Sequence, residues 1–238
     1  MITGIIVALP EELSTLTSKK IDKGSSVFIS DAIVLAYSGA GANNAQAASE
    51  LLIAQGATRL ISWGCAAALS EALKPGDLVL ADNLIGSDNA QIVLHSAWHS
   101  NTKNLLSSTL KVHTGSLVES NTIVATTQDK KHLYAQTGAI ALDMETVAIA
   151  KVARQNNLPF LAIRAIADPV SMDLPKAINH SLNNGGDIVL SKLLLYIARH
   201  PTELPGLIKL GLHFNAAKIT LKLIASQLSN VTAQPSQG

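Results

Sequence analysis

Apolar residues along this chain come in unbroken runs, not in alternation with polar ones. The runs "TGIIVAL" (3–9), "AIVLAYS" (32–38), "RLISWG" (59–64), "GDLVLAD" (76–82) and "FLAIRAIAD" (160–168) are rich in Val, Ile and Leu. Such runs predict strands covered on both faces. Between them, "AQAASELLIAQG" (45–56) has helical spacing and closes on Gly56 as a C-cap. In "ALDMETVAIAKVA" (141–153), the run behind Asp143-Met144-Glu145 predicts a second helix, buried against the core, with those three residues at its mouth, and "LVESNTIVATT" (117–127) precedes it. The segment "CAAALSEALKP" (65–75) is a small-residue connection between two strands. Strands alternating with helices predict one α/β domain, with a twisted mixed or mostly parallel sheet covered by helices. It is assigned to residues 1–200, with a helical C-terminal extension over 201–238 whose last stretch, "VTAQPSQG", is expected to fray.

Composition changes this picture in a few places. With 238 residues, 47% hydrophobic, 15% charged and a mean hydropathy of +0.28, the chain can bury a large core, which excludes disorder across its main body. A net charge of +1 gives no field for a nucleic-acid partner, and none is expected. Cys65 is the only cysteine, so no internal disulfide framework exists and a reducing compartment fits. The N-terminus lacks the basic region of a signal peptide, and no stretch of about 18 uncharged apolar residues suggests a spanning helix. A cytoplasmic location is expected.

Candidate chemistry gathers where the strands end. In α/β sheets ligands bind beyond the carboxyl ends of the strands. Glu12 follows the first run, Asp143 and Glu145 stand at the start of the buried helix, and Asp168 closes "FLAIRAIAD". Capping and the helix dipole account for Asp143. They do not account for Glu145 or for a further acid at another strand end. The glycine-rich loop "SGAGANNAQAA" (38–48) fits either a tight turn or a cradle for an anion or a ribose. It has no GxGxxG pattern, and Ala42 stands where a Walker lysine would follow Gly41. "WGCAAAL" (63–69) suits close approach of a ligand or of another backbone. Cys65 within it, with no neighbouring histidine, reads as an inert thiol and not a nucleophile. The seven histidines show no metal-ligand spacing and no G-x-S-x-G elbow is present, so neither a metal site nor a serine hydrolase is expected.

Taken together, "GIIVALPEEL", the glycine loop with its helix and "WGCAAALSEALKPGDLVLAD", "DMETVAIA" and "LPFLAIRAIADP" resemble the purine nucleoside phosphorylase superfamily, in its nucleosidase branch. The resemblance covers residues 3 to about 170. The last third, with "ADPVSMDLPKAI" and "NNGGDIVLSKLLLYIARHPTELPGLIKL", resembles the hopanoid-associated phosphorylase subfamily, whose members act as adenosylhopane nucleosidases. That likeness implies hydrolysis of the N-glycosidic bond of adenosylhopane, releasing adenine and ribosylhopane, with no cofactor. It implies that Asp168 is the general acid at N7 of the base and Glu12 the activator of water. Glu145 would bind the ribose hydroxyls and Met144 would pack under the ring. Further substrate contacts are implied at Gly39, Cys65 and Ala67, and along the base at Val124 and Ala125. The family often carries Ser or Thr before the acid; here Ala167 stands there, so another donor must orient it.

Several readings stay open. A phosphorylase needs cationic donors for phosphate, yet the first loop carries Pro10, Glu11 and Glu12, and Cys65 occupies the serine's place in the central motif. Carboxylates repel phosphate, which favours water as the acceptor. A methylthioadenosine/S-adenosylhomocysteine nucleosidase is a second open reading, and a non-catalytic nucleoside binder is a third. From Leu204 onward the chain has no acid, while Lys209, Lys218 and Lys222 punctuate apolar sequence. That pattern suits a helix packed on protein or one lying on anionic lipid, and a hopanoid substrate favours peripheral contact with the inner membrane. The family likeness also implies a homodimer.

Overall fold

The first apolar run forms β1 (Ile2–Val7), and its alternate residues enter two separate cores. In the computed structural model, residues 1–94, 96–181, 183 and 189–233 are described. After β1 come α1 (Pro10–Leu13), β2 (Ser25–Ser30), β3 (Ile33–Tyr37), α2 (Ala42–Ala54) and the long β4 (Ala57–Ala68). The middle of the chain holds β5 (Leu78–Leu80), β6 (Asn83–Ile85), β7 (Gln91–Val93), α3 (Ala97–Ser107), β8 (Val112–His113) and β9 (Ser116–Glu119). Then follow α4 (Thr127–Thr137), β10 (Ala141–Asp143), α5 (Thr146–Gln155) and β11 (Phe160–Asp168). The chain ends in α6 (Lys176–Ser181), α7 (Leu190–Arg199), α8 (Leu204–Ala225) and α9 (Leu228–Val231).

The strands make one mixed sheet in the order β2-β3-β1-β4-β10-β9-β6-β7. β4 also pairs in parallel with β11, which continues antiparallel to β5 and from there to β8. β1 lies parallel to both β3 and β4, while β2 closes one edge antiparallel. Ile6 packs with Ala45, Ala48 and Leu52 of α2 and with Val147 and Ala150 of α5 on one face. Ile5 and Val7 pack on the other face with Trp98 and Leu106 of α3 and Ala217, Leu221 and Ile224 of α8. Helices on both faces explain why the strands read as continuous apolar runs. The result is a single α/β domain with an open mixed sheet flanked by helices.

One local expectation is corrected. Residues 65–68 are not part of a connection: β4 runs through Cys65, Ala66 and Ala67 to Ala68. Alanine has low strand propensity, but here the parallel partner β11 and the antiparallel β10 supply the pairing. The second helix starts behind Asp143-Met144-Glu145, with Glu145 at its N-cap position. Ala141–Asp143 is a strand between β4 and β9, and the helix begins at Thr146. Residues 234–238 of the terminal stretch expected to fray, and 184–188 of the subfamily-like segment, lie outside the described residues.

Candidate active site

Pro10 fixes the first turn after β1, and Glu12, two residues on, folds its side chain back over that turn. Its Oε2 accepts from the N–H groups of Ala8 (3.1 Å) and Leu9 (3.0 Å), and Oε1 accepts from the Cys65 N–H (2.7 Å). Gly64 makes the close approach possible, since a Cβ there would lie 2.5 Å from Glu12 Oε1. The small residues of "WGCAAA" therefore admit a carboxylate of the protein itself. Burial pushes the Glu12 carboxyl above its ordinary value, opposed by the Arg164 charge and the three N–H donors.

Glu145 lines the same space. Its Oε1 accepts from the Gly41 N–H (2.7 Å), where Gly41 has φ +96° at the start of α2. The glycine loop thus aims an amide at Glu145 through Gly41. Behind Glu145, Asp143 Oδ1 accepts from the N–H groups of Glu145 (3.3 Å) and Thr146 (3.1 Å) and caps α5. Its Oδ2 accepts from Arg164 Nε (2.6 Å) and from the Thr146 hydroxyl. Arg164 Nη2 reaches Ser62 Oγ (2.5 Å) and Thr146 Oγ1 (2.8 Å), and Nη1 reaches the Ile163 carbonyl (3.0 Å). One guanidinium therefore sits among Glu12, Asp143 and Glu145. Burial and the Asp143 charge push Glu145 up to about 7, against the Gly41 amide and Arg164. Glu12, Cys65, Glu145 and Arg164 line one small cavity, whose wall is completed by Ile6, Ala8, Ser38, Ser62, Trp63 and Ile149. Burial and the nearby Glu12 hold the Cys65 thiol well above its ordinary value, which leaves it a poor nucleophile.

Asp168 does not line that cavity. It ends β11 just beyond a bulge and stands opposite Ala67 of β4, two residues along the strand from Cys65. Lys130 of α4, fully buried, donates to Asp168 Oδ1 (2.7 Å) and to the carbonyls of Met172 (2.8 Å) and Pro169 (3.1 Å). Lys130 is thus the donor that Ala167 lacks. Burial raises the Asp168 carboxyl above its ordinary value, with the Lys130 ammonium pulling against it. The Ala125 carbonyl accepts from the Leu174 N–H (2.8 Å), and Asp173 accepts from the Thr127 N–H (2.6 Å), which ties the segment before α4 to the loop after Asp168. Val124 and Ala67 pack against the small cluster of Leu69, Ile85, Val118, Ala139 and Leu142. Met144 is half-buried, outside the cavity wall. Gly39 is buried at φ +80°, where a Cβ would strike the Lys23 side chain. The candidate residues therefore divide into Glu12, Cys65 and Glu145 around the cavity, and Asp168 with Ala67, Val124 and Ala125 around the end of β11.

Arg164 and Lys130 are the residues that sequence reasoning missed. For Arg164 a signal existed, because a lone cation inside the wholly buried strand "FLAIRAIAD" needs a partner. Lys130 lies in the polar helix "TQDKKHLYAQT", which reads as solvent-facing. Among the described residues, no group of three His, Cys, Asp or Glu side chains is arranged to hold a metal ion.

The family described as Phosphorylase superfamily matches residues 3–191. A 5′-methylthioadenosine/S-adenosylhomocysteine nucleosidase of Staphylococcus aureus is 26% identical over 195 residues, covering 69% of this chain and 85% of its own. The Helicobacter pylori enzyme of the same name, solved with butyl-thio-DADMe-Immucillin-A, matches the fold with a TM-score of 0.71 at 18% identity over 96% of each chain. The futalosine hydrolase of Helicobacter pylori does so with a TM-score of 0.70 at 17% identity, again over 96% of each chain.

Proposed function

The chain belongs to the phosphorylase superfamily, and on that premise we propose that it is a purine nucleosidase that cleaves an adenine N-glycosidic bond with water. The Staphylococcus aureus relative is named as a nucleosidase, which supports the reaction class. Two difficulties attend the step: adenine leaves poorly as an anion, and the sugar develops positive charge. Asp168, with its carboxyl shifted toward neutrality, donates a proton to N7 so that the base departs neutral. Glu145 accepts from the ribose hydroxyls, and the negative charge it shares with Glu12 stabilises the sugar cation. Glu12 takes the proton of the attacking water. Met144 underlies the ribose, while Gly39, Cys65, Ala67, Val124 and Ala125 complete the walls around sugar and base.

The observation that carries the hydrolytic reading is the charge of the cavity. Glu12 and Glu145 face it, and the cation in its lining, Arg164, directs its N–H groups to Asp143, Ser62, Thr146 and Ile163. A phosphate dianion would meet carboxylates and a cation already engaged.

For the substrate we propose adenosylhopane, with ribosylhopane as the second product. Support comes from the subfamily likeness of the last third and from the outer face of α7 and α8. Leu194, Leu195, Leu204, Ile208, Leu212, Ile219 and Leu223 are exposed there, with Lys209 and Lys222 among them. A helix whose inner residues fill a core and whose outer residues are also apolar has a second partner. An anionic inner-membrane surface fits that mixture of lysine and aliphatic side chains, in a cytoplasmic homodimer that takes its substrate from the lipid. Among the described residues no helix is long and apolar enough to cross a membrane. The second reading is methylthioadenosine or S-adenosylhomocysteine cleavage, favoured by the names of the relatives. Adenine release from each of the three compounds, with and without phosphate, separates the readings. Release from adenosylhopane alone, independent of phosphate, is expected; release only from the thioether nucleosides would reassign the substrate.

A further inference from the structure

The buried ammonium of Lys130 poses a question that capping a loop does not answer. Its three acceptors, Asp168 Oδ1, Pro169 O and Met172 O, lie within one five-residue stretch and use all three of its N–H bonds. The carboxylate is not saturated in return. Asp168 Oδ2 has no hydrogen bond among the described residues, and the side chain keeps 11% exposure at the strand end. Asp143, the other buried acid paired with a cation, shows what full engagement looks like: both of its oxygens accept two hydrogen bonds.

We infer that Lys130 is a positioning residue for the glycosidic step: it holds Asp168 by one oxygen and leaves the other directed at N7 of the departing purine. The inference rests on the nucleosidase reading above. Asp168 starts as the carboxylic acid with its proton on Oδ2. That proton passes to N7, the C1′–N9 bond breaks with its electron pair going to the base, and a carboxylate remains beside the ammonium. Water then bonds to C1′ and loses a proton to Glu12, Glu12 releases that proton to solvent, and solvent returns one to Asp168. Lys130 favours the carboxylate formed in the first step and so makes Asp168 a stronger acid. The other charged groups around Asp168 do not duplicate this. Asp173 is anionic and bound to the Thr127 N–H, Asp129 binds the Thr126 hydroxyl, and Lys131 pairs with Glu71 in solvent.

The test uses the full chain, with the pH dependence of kcat as its readout on an adenine nucleoside that the wild type cleaves. Lys130→Met is expected to lower kcat about tenfold or more and to move the alkaline limb upward by about one pH unit, because the acid loses its cation. Lys130→Gln keeps a donor without the charge and is expected to move the limb the same way, which covers misfolding of the methionine variant. Cleavage of 4-nitrophenyl riboside, whose leaving group needs no protonation, should stay within about threefold of wild type in both. An unmoved limb, or equal loss on both substrates, would overturn the inference and leave Lys130 a structural clamp. Absence of cleavage by the wild type itself would instead overturn the nucleosidase reading.

Discussion

Two buried ion pairs flank the strand end of β11, and they are built to different ends. Arg164 and Asp143 are almost wholly enclosed, at 4% and 3% side-chain exposure, and both partners are engaged on every side by Ser62, Thr146 and main chain. Lys130 is equally enclosed, but its partner Asp168 has one oxygen with no hydrogen bond among the described residues. Burying a charge is tolerated only where hydrogen bonds replace water. The first pair meets that condition completely and so is structural, locking α5 and β11 around the cavity. The second meets it completely only for the cation. An acid held by one oxygen can still exchange a proton with something outside the protein.

The sharpest way to break this contrast is Asp168→Asn. The amide keeps the shape and an oxygen for Lys130, so the fold survives, while adenine release falls by about 10²- to 10⁴-fold. Steady-state kinetics alongside circular dichroism would check it, and near-normal turnover would remove Asp168 from the acid's role. Arg164→Met should act on stability instead. It strands Asp143 and Glu12 without their cation, at about 3–5 kcal/mol, read by urea unfolding. Lys130→Met should cost less, because Asp168 can draw water at its open edge.

Gly64→Ala is a finer probe. Its methyl group would meet Glu12 Oε1 at 2.5 Å and turn the carboxylate out of its three-amide nest. A fall in kcat of about tenfold to a hundredfold, with KM changed less, is expected if Glu12 orients water. A pH-dependent effect on stability concerns Glu145, which titrates at about 7 in the folded protein against an ordinary 4.5. Between those values the folded state holds the extra proton, so stability falls as pH rises, and the loss is complete above the folded value. Glu145→Gln carries no such titration. The variant should gain on wild type by up to about 3 kcal/mol as unfolding is moved from about pH 5 to about pH 8. An equal difference at both pH values would contradict the coupling.

The strands at 3–9, 32–38 and 160–168 were legible in sequence because helices cover both sheet faces and leave no polar alternation. The strand character of 65–68 was not, since alanine becomes a strand there only through its neighbours on β10 and β11. Glu12, Glu145 and Asp168 were legible as acids at strand ends. Their division between a cavity and an adjoining strand end was not, because it depends on the bulge before Asp168 and on the turn that folds Glu12 back. Lys130 escaped because its helix reads as solvent-facing and its partner lies 38 residues away, whereas Arg164 carried a signal as a lone cation in a buried strand but not the identity of its partner, 21 residues away.

The most direct measurement is turnover of an adenine nucleoside in ¹⁸O-labelled water, with and without phosphate, followed by mass analysis of both products. Adenine together with a free sugar carrying one ¹⁸O at C1′, at a rate indifferent to phosphate, is the predicted result. A ribose 1-phosphate product, or intact nucleoside after prolonged incubation, would contradict it.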